Sequence, residues 1–279
     1  MTNVPFTKVE SVGNDFVLVE KDQVGDLDLS WLAQQVCPRR FAIGSDGLLV
    51  IWREGSDIHL RFFNPDGSED FCGNGLRCAA WYAYRQGWTG EKFEILQNGM
   101  TIGMEIEGDA RITAFMPAAS FEPGRVPVQS QEEWWERPVL GVIGTALTTG
   151  STHFITFVDE LPADDEFFDL GPKLEHAEVF PERTSIMWVK PEAEDRLVMR
   201  IWERGVGETQ GCGTGAMAAA VVWFRKTGRI GEIDVVSTGG TLRVAMDHWS
   251  APITITSEPE ELFRGTIMVP VPGLDAAPV

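Results

Sequence analysis

Two cysteines lie in glycine-rich segments that are typical of the start of a helix. Cys72 is followed by Gly-Asn-Gly, and Cys212 is followed by Gly-Thr-Gly. An almost entirely apolar stretch comes after each motif, at 76–84 and 216–224. The first turn of a helix carries unpaired backbone N–H groups and the positive end of the helix dipole. Each motif therefore predicts an anion site with a thiol beside it, where a carboxylate can bind with its α-carbon against the sulfur.

The helix dipole alone does not make these thiols strongly acidic. Its contribution of about 0.3–1 kcal/mol lowers a thiol pKa by less than about one unit from the ordinary value of about 8.5. The two cysteines therefore need further charged or polar neighbours to form thiolates at neutral pH.

Two equivalent thiols suit the inversion of a carbon that carries a hydrogen. One thiolate removes the proton from one face of the carbon, and the other thiol delivers a proton to the opposite face. Helix N-termini that hold the neighbouring carboxylate stabilise the charge that develops as the proton leaves. The sequence has no defensible pyridoxal-binding signature, so we expect the reaction to need no cofactor.

Other uses of the cysteines fit the sequence less well. A zinc site is disfavoured because Cys72 and Cys78 are six residues apart on one predicted helix and His59 lies on a predicted strand. We therefore predict no metal. A single cysteine nucleophile would leave the second motif unexplained. Cys37 and Cys78 are interpreted as small core residues.

The cysteine motifs belong to a repeat at half the chain length. Residues 67–80 (GSEDFCGNGLRCAA) and 207–220 (GETQGCGTGAMAAA) share six identical positions at a constant offset of 140. A weaker parallel precedes them, between 13–19 and 151–157. Short helix starts rich in glycine and alanine recur by chance, but an offset kept across several elements favours a duplication.

The remaining patterns predict the elements that position the motifs. The apolar stretches after both cysteines predict helices without a solvent face, which must be buried. Ser30 is the expected N-cap of a short helix that stops before Pro38. Turns are expected at 64–67 and 98–99. Alternating apolar residues predict strands at 6–9, 16–20, 48–52, 59–63, 92–96, 101–107 and 111–116. Each half is then expected to wrap a strongly curved, mostly antiparallel sheet around one central helix.

Composition limits the partners and the compartment. The chain has 279 residues, of which 43% are hydrophobic and 23% charged, as in an ordinary globular protein. Its net charge of −19 disfavours nucleic acid and anionic membrane surfaces as partners. Four cysteines are too few for a disulfide scaffold, and no segment reads as a signal peptide or a membrane span. We expect a cytoplasmic enzyme with reduced thiols.

The acidic segment 159–166 is interpreted as a solvated loop.

Five segments, spread through both halves, carry a resemblance to a known family. They are SVGNDFVLV (11–19), IGSDGLLV (43–50), FFNPDGSEDFCGNGLRC (62–78), FPERTSI (180–186) and ERGVGETQGCGTGA (203–216). In these segments the sequence resembles the diaminopimelate epimerases, which interconvert LL- and meso-2,6-diaminopimelate without a cofactor in bacterial lysine and peptidoglycan synthesis.

The resemblance implies an α+β fold of two similar domains. Each domain would be a curved, mixed or antiparallel, barrel-like sheet around a buried central helix. A strand at 261–269 would return the end of the chain to the first domain. The implied division is 1–117 plus 262–279 for the N-terminal domain and 118–261 for the C-terminal domain, with the boundary near Met116-Pro117.

The resemblance also implies roles for individual residues. Cys72 and Cys212 would be the two acid–base residues, and His153 and Glu203 would adjust their pKa values. Arg204 would pair with the distal carboxylate of the substrate. The implied substrate-binding residues are Asn14, Gly47, Asn64, Gly73, Asn74, Ser151, Ser185, Glu203, Arg204, Gly213 and Thr214. Structural alternatives remain open here: Asn64 as the start of a turn, His153 as a core histidine, and Glu203 and Arg204 as surface charges.

Two departures from the family pattern keep other functions open. Ser151 and Ser185 stand where the family usually has asparagine, and a hydroxyl offers fewer hydrogen bonds and less reach. The alternatives are a racemase of the same mechanism for a different amino acid, and a carboxylate-binding protein without turnover. The isomerase branch of this fold that uses a carboxylate in place of the thiols is disfavoured by the cysteine pair. The expected partner is a small amino-acid substrate, with no nucleic acid and no membrane, and a homodimer is compatible with the sequence.

Overall fold

The secondary structure is dominated by strands. The computed structural model describes residues 1–108 and 110–270. Up to residue 116 the elements are β1 (Thr2–Ser11), β2 (Asn14–Glu20), α1 (Lys21–Val24), α2 (Leu29–Val36), β3 (Gly47–Glu54), β4 (Asp57–Phe63), β5 (Glu69–Asp70), α3 (Gly73–Arg85), β6 (Lys92–Gln97), β7 (Met100–Glu107) and β8 (Arg111–Met116). Then follow β9 (Arg137–Val139), β10 (Val142–Thr148), β11 (Thr152–Phe157), α4 (Asp164–Glu175), β12 (Ser185–Ala193), β13 (Arg196–Glu203), β14 (Gly207–Thr209), α5 (Gly213–Thr227), β15 (Glu232–Ser237), β16 (Gly240–Ala245), β17 (Ile253–Ser257) and β18 (Glu260–Val269). The α+β class is confirmed. Across the described ranges, no helix has the length and apolar character needed to cross a bilayer.

The chain forms two compact units. The first unit is Met1–Ala114 together with the segment that begins at Glu258, and the second unit is Phe115–Ser257. In the first unit β1 pairs antiparallel with β2 and with β18, β2 pairs parallel with β3, and β3 and β4 form a hairpin. Strand β4 pairs parallel with β6, which forms a hairpin with β7. Residues 271–279, assigned to the N-terminal domain in the expected division, lie outside the described residues.

The second unit repeats this order of pairings. Strand β10 pairs antiparallel with β11 and with β9, β11 pairs parallel with β12, and β12 and β13 form a hairpin. Strand β13 pairs parallel with β15, which forms a hairpin with β16. Each unit is therefore a mixed, mainly antiparallel sheet in which the two parallel pairs occupy equivalent places.

The predicted strands of the first unit are confirmed and follow from side-chain alternation. In β4, Ile58, Leu60 and Phe62 are buried while the residues between them are less so, because successive side chains of a strand point to opposite faces. The predicted turn at 98–99 joins β6 and β7. Asn98 and Gly99 both have positive φ, 51° and 76°, which suits the tight hairpin turn that Asn-Gly favours.

The two helices that follow the cysteines are buried as predicted. Every residue of α3 from Asn74 to Ala83 is buried, and α5 is buried nearly as far as Phe224. Glycine at the third helical position lets each helix approach a strand closely. A Cβ added at Gly75 would lie 2.7 Å from Cδ2 of Leu49, and one at Gly215 would lie 2.3 Å from Cε of Met187. Each central helix thus packs against the parallel part of its own sheet, on β3 and on β12.

Two local expectations need correction. Ser30 is not the N-cap of α2; Asp28 is, because its carboxylate accepts a hydrogen bond of 3.0 Å from the backbone N–H of Trp31. The Ser30 hydroxyl instead donates to the carbonyl of Gly67 at 2.7 Å.

The acidic segment 159–166 is exposed as expected, but its second part, from Asp164, is the first turn of α4. Acidic residues there interact favourably with the positive end of the helix dipole.

Replacing the observed N-cap tests this assignment. We expect Asp28→Ala to lower the free energy of unfolding by about 1 kcal/mol, because the Trp31 N–H loses its acceptor. The matched control is Asp26→Ala, which removes the same charge from an exposed residue two positions earlier. Urea unfolding of both variants checks the prediction, and an equal loss of stability in the two would contradict it.

Candidate active site

Cys72 caps the N-terminus of α3 with its sulfur. Its backbone is extended, with φ −135° and ψ 108°, and its Sγ accepts a hydrogen bond of 3.4 Å from the backbone N–H of Gly75. Serine, threonine and aspartate usually fill this position. The side chain is half-buried. A Cβ added at Gly73, the first residue of the helix, would have no neighbour nearer than 3.9 Å.

Asn74, two residues after this cysteine, forms a hydrogen bond with Asn14. Asn74 is buried, and its Nδ2 lies 3.4 Å from Oδ1 of Asn14. The Nδ2 of Asn14 donates to the Asp46 carboxylate at 2.6 Å. Asp46 also accepts from the backbone N–H of Asp15 at 3.1 Å. The two predicted asparagines are thus brought together, and Asp46 is a polar neighbour that was not singled out from the sequence.

Two other predicted substrate-binding residues of the first unit, Gly47 and Asn64, have structural roles. Gly47 opens β3, and a Cβ there would lie 2.2 Å from Cε2 of Phe62, so only glycine fits without a shift of the ring. Asn64 begins a turn: its carbonyl accepts from the Gly67 N–H at 2.9 Å, and its Nδ2 donates to the Ser68 hydroxyl at 3.1 Å. These contacts match the alternative in which Asn64 starts the turn.

Cys212 caps α5 in the same way, and polar side chains lie near its sulfur. Its Sγ accepts from the Gly215 N–H at 3.4 Å, and its backbone is extended, with φ −132° and ψ 110°. The thiol lies 3.9 Å from Oε1 of Glu203, to which it donates, and 3.4 Å from Oγ1 of Thr214. Glu203 is the last residue of β13, and Gly213 is the first residue of α5. Cys212, Glu203, Gly213 and Thr214 therefore lie together.

The hydroxyl groups of Thr214 and Ser151 connect Cys212 to a buried histidine. Oγ of Ser151 lies 3.4 Å from Oγ1 of Thr214 and 3.0 Å from Nε2 of His153. His153 is fully buried on β11. Burial, reinforced by the positive charge of Arg204, lowers the pKa of His153 to about 3. His153 is therefore a neutral imidazole at physiological pH and acts on its neighbours through hydrogen bonds.

Ser185 and Arg204 form a separate contact in the second unit. The Ser185 hydroxyl accepts from the backbone N–H of Arg204 at 3.0 Å. Nη1 of Arg204 donates to the carbonyl of Glu182 at 3.2 Å. Ser185 is also the register partner of His153 in the parallel pair of β11 and β12. The turn after Arg204 is held by buried Glu175, whose Oε1 accepts from the Gly205 N–H at 2.9 Å. No sequence pattern points to that role of Glu175.

Metal-binding clusters are absent from the residues that the structure describes. Within 1–108 and 110–270, no group of three or more His, Cys, Asp and Glu side chains is placed to hold a metal ion.

The low pKa of His153 gives a pH dependence of stability with a definite sign. An unfolded histidine binds a proton near pH 6.5, whereas folded His153 does so only near pH 3. Between these values the unfolded chain binds more protons, so this contribution is complete above pH 6.5 and is lost as the pH falls towards 3.

Comparison with His153→Gln isolates that contribution. We expect the free energy of unfolding of the wild type to fall more steeply between pH 6 and pH 4, by up to about 1.4 kcal/mol per pH unit. Urea unfolding at several pH values measures both slopes. Parallel profiles for the two proteins would show that His153 is not a low-pKa residue.

Comparison with known proteins gives the family. A family model described as diaminopimelate epimerase matches residues 6–121 and 145–259. The diaminopimelate epimerase of Caldanaerobacter subterraneus subsp. tengcongensis is 36% identical over 279 residues, which cover 95% of this chain and 99% of that protein. The diaminopimelate epimerase of Moorella thermoacetica is 36% identical over 282 residues, which cover 93% and 98%.

Solved structures share the fold at low sequence identity. A phenazine biosynthesis protein of the PhzF family from Bacillus anthracis has a TM-score of 0.68 at 16% identity, and the match covers 96% of this chain and 100% of that one. A hydroxyproline epimerase from Agrobacterium vitis has a TM-score of 0.66 at 13% identity, covering 97% and 94%. Together, the family model and the curated relatives establish that this chain is an isomerase belonging to the diaminopimelate epimerase family.

Proposed function

We propose that this chain is a cofactor-independent, two-cysteine epimerase that interconverts LL- and meso-2,6-diaminopimelate, a reaction of lysine and peptidoglycan biosynthesis. The observation that carries the proposal is the matching geometry of Cys72 and Cys212. Each sulfur caps a buried helix and accepts a backbone N–H bond of 3.4 Å from the residue three positions later. The names of the curated relatives support the substrate.

The reaction needs one thiolate and one thiol at the same α-carbon. A thiolate takes the Cα proton, and the electron pair of the broken C–H bond remains on the carbon and spreads into the carboxylate. The second thiol then delivers its proton to the opposite face of the carbon and becomes a thiolate. Protons and charge balance within the cysteine pair, so the enzyme leaves each turnover with the roles of the two sulfurs exchanged.

The helix starts supply the charge stabilisation that this carbanion needs. The first residues of α3 and α5, Gly73-Asn74 and Gly213-Thr214, are the proposed carboxylate contacts. Backbone N–H groups and the dipole at a helix N-terminus favour an anion, and they are fixed before the reaction begins. Glycine after each cysteine keeps the approach to the backbone free of a side chain. Negative charge that moves onto the carboxylate as the proton leaves is therefore stabilised where it forms.

The neighbours of Cys212 favour its thiol form. The sulfur donates towards the Glu203 carboxylate at 3.9 Å, and a negative charge nearby disfavours a thiolate. Thr214 and Ser151 connect the same sulfur to neutral His153 through hydroxyl groups. In this proposal Cys212 starts as the proton donor when Cys72 is the base, and Glu203 and His153 set its proton affinity.

One observation favours an amino acid other than diaminopimelate as the substrate. The hydroxyls at the two positions where the family usually has asparagine already have protein partners: Ser185 with the Arg204 N–H, and Ser151 with His153. Neither side chain has the length of an asparagine amide for reaching the distal end of a substrate. The same two-thiol chemistry on a different amino acid is therefore the second candidate function.

Removal of either sulfur tests the mechanism. We expect Cys72→Ala and Cys212→Ala each to lower the rate of inversion of diaminopimelate by at least about 100-fold, since each variant lacks one of two required acid–base groups. Cys37→Ala is the matched control, because Cys37 is a buried core thiol. Chiral chromatography of the product measures the rate. Inversion at near wild-type rate in either active-site variant would remove the two-cysteine mechanism.

A substrate panel separates the two candidate functions. In deuterated water, we expect deuterium to enter Cα of diaminopimelate and not of lysine, ornithine or histidine, as measured by mass spectrometry. The reverse result, with exchange in another amino acid and none in diaminopimelate, would reject the leading substrate and support the second candidate.

A further inference from the structure

Arg77 is a fully buried arginine in α3 to which no role has yet been given. Among the residues that the structure describes, its side chain is the largest by volume of those with almost no exposure. Burying a guanidinium is costly unless hydrogen bonds and an opposite charge compensate. At the equivalent place in α5, 140 residues later, the chain has Met217. An apolar residue is therefore accommodated at this position of one central helix, while the other helix carries a cation.

The guanidinium lies at the N-terminal end of α3. Its Nη1 would be 3.9 Å from a Cβ added at Gly73, the residue directly after Cys72. Long helical side chains fold back towards the helix N-terminus, which explains this placement. The cation therefore adds a full charge to the partial positive charge of the helix start, beside the sulfur.

Two thiols interact electrostatically with this cation. Burial lowers the pKa of Arg77 to about 10, and the charges of Cys78 and Cys72 act in the opposite direction. Arg77 is thus still charged at neutral pH. Burial raises the pKa of Cys78 well above its ordinary value, so Cys78 remains a thiol. Of these two sulfurs, half-buried Cys72 is the one suited to become the counter-anion.

A directed chain of hydrogen bonds also begins at this cation. Nη2 of Arg77 donates to Oδ1 of Asn74 at 2.5 Å. Nδ2 of Asn74 donates to Oδ1 of Asn14 at 3.4 Å, and Nδ2 of Asn14 donates to the Asp46 carboxylate at 2.6 Å. A guanidinium only donates and a carboxylate only accepts, so both ends fix the orientation of the two amides.

We propose that Arg77 is a positioning residue of the first unit: its cation favours the thiolate form of Cys72, and through Asn74 it fixes the amide of Asn14. This inference rests on the proposed function for the role of Cys72. It also assigns the resting protonation. Cys72, beside a cation, is the base of the free enzyme, and Cys212, beside the Glu203 carboxylate, is the acid.

Several other titratable groups lie around this site. Cys78 follows Arg77 on the same helix, and Glu10 of β1 interacts with Cys78. Burial raises the pKa of Glu10, and a hydrogen bond from Gly13 opposes that effect. Asp46 lies at the far end of the amide chain, where it also pairs with Arg39. These groups are unchanged in the variants below, so they are common to every comparison.

The test measures the reactivity of Cys72 against pH without any substrate. In a Cys212→Ser background, the rate of iodoacetamide alkylation at Cys72 is followed by mass spectrometry from pH 5 to pH 10. We expect Arg77→Met to move the midpoint of this profile upward by about one pH unit or more, so that the rate at pH 7 falls about tenfold. Arg77→Lys keeps a positive charge and should fall between the two.

Arg85→Met is the matched control. Arg85 is an exposed arginine in the last turn of the same helix, so its removal changes the net charge equally and should leave the midpoint in place. An unchanged midpoint in folded Arg77→Met would overturn the proposal, as would an equal shift in Arg85→Met.

A second comparison applies if Arg77→Met does not fold. The midpoint for Cys72 in Cys212→Ser is set against the midpoint for Cys212 in Cys72→Ser. We expect Cys72 to have the lower midpoint by about one pH unit or more. Equal midpoints, or a lower one for Cys212, would overturn the assignment.

Turnover separates this inference from the proposed function. With both cysteines present, Arg77→Met should lower kcat for diaminopimelate about tenfold at pH 7 and recover part of that loss at pH 9, whereas simple structural damage would not recover. If the wild type does not invert diaminopimelate, the proposed function fails, and the alkylation profiles still decide the role of Arg77.

Discussion

In each unit, the start of the central helix is organised by a sulfur atom that accepts a backbone hydrogen bond. A helix that begins in the protein interior cannot leave its first N–H groups to water, so its start must provide acceptors. Cys72 and Cys212 each accept the N–H of the residue three positions later. The same contact keeps the thiol at the positive end of the helix and orients it. In the proposed mechanism, structural capping and chemistry use the same sulfur atom, which would explain why cysteine takes a place that serine or aspartate usually fills.

The two units share this arrangement but surround it differently. The first has a buried arginine linked to two asparagines at the start of its helix. The second places a carboxylate, two hydroxyls and a neutral histidine near its sulfur. A duplicated scaffold would by itself give two thiols of equal acidity, and such a pair has no preferred base. In the proposed mechanism, the opposite charges of Arg77 and Glu203 break that equality, so that one thiol is biased towards each role.

Much of this could be predicted from the sequence because the informative signals are local. The alternation of apolar residues predicted the strands of the first unit, and the apolar stretches after the cysteines predicted both buried helices. Several features were missed because they depend on tertiary contacts that a local pattern does not report. Helix α4 contains Gly171 and Pro172, and it is stabilised by burial of Phe167 and Leu174. The Ser30 hydroxyl bonds a distant carbonyl instead of capping its helix. Arg77 reads as an ordinary helical cation until its burial is seen.

In the proposed mechanism, two different groups handle the α-proton, one on each face of the carbon. The most direct measurement is the Cα isotope content during the first turnover in deuterated water, starting from one diaminopimelate isomer with hydrogen at Cα. If two thiols act, the one that protonates the carbon carries deuterium from the solvent. Every product molecule should then have deuterium at the inverted carbon, while unreacted substrate keeps its hydrogen. Product that retains the substrate's own hydrogen would mean that a single group carries the proton between the two faces. This result would contradict the two-thiol mechanism.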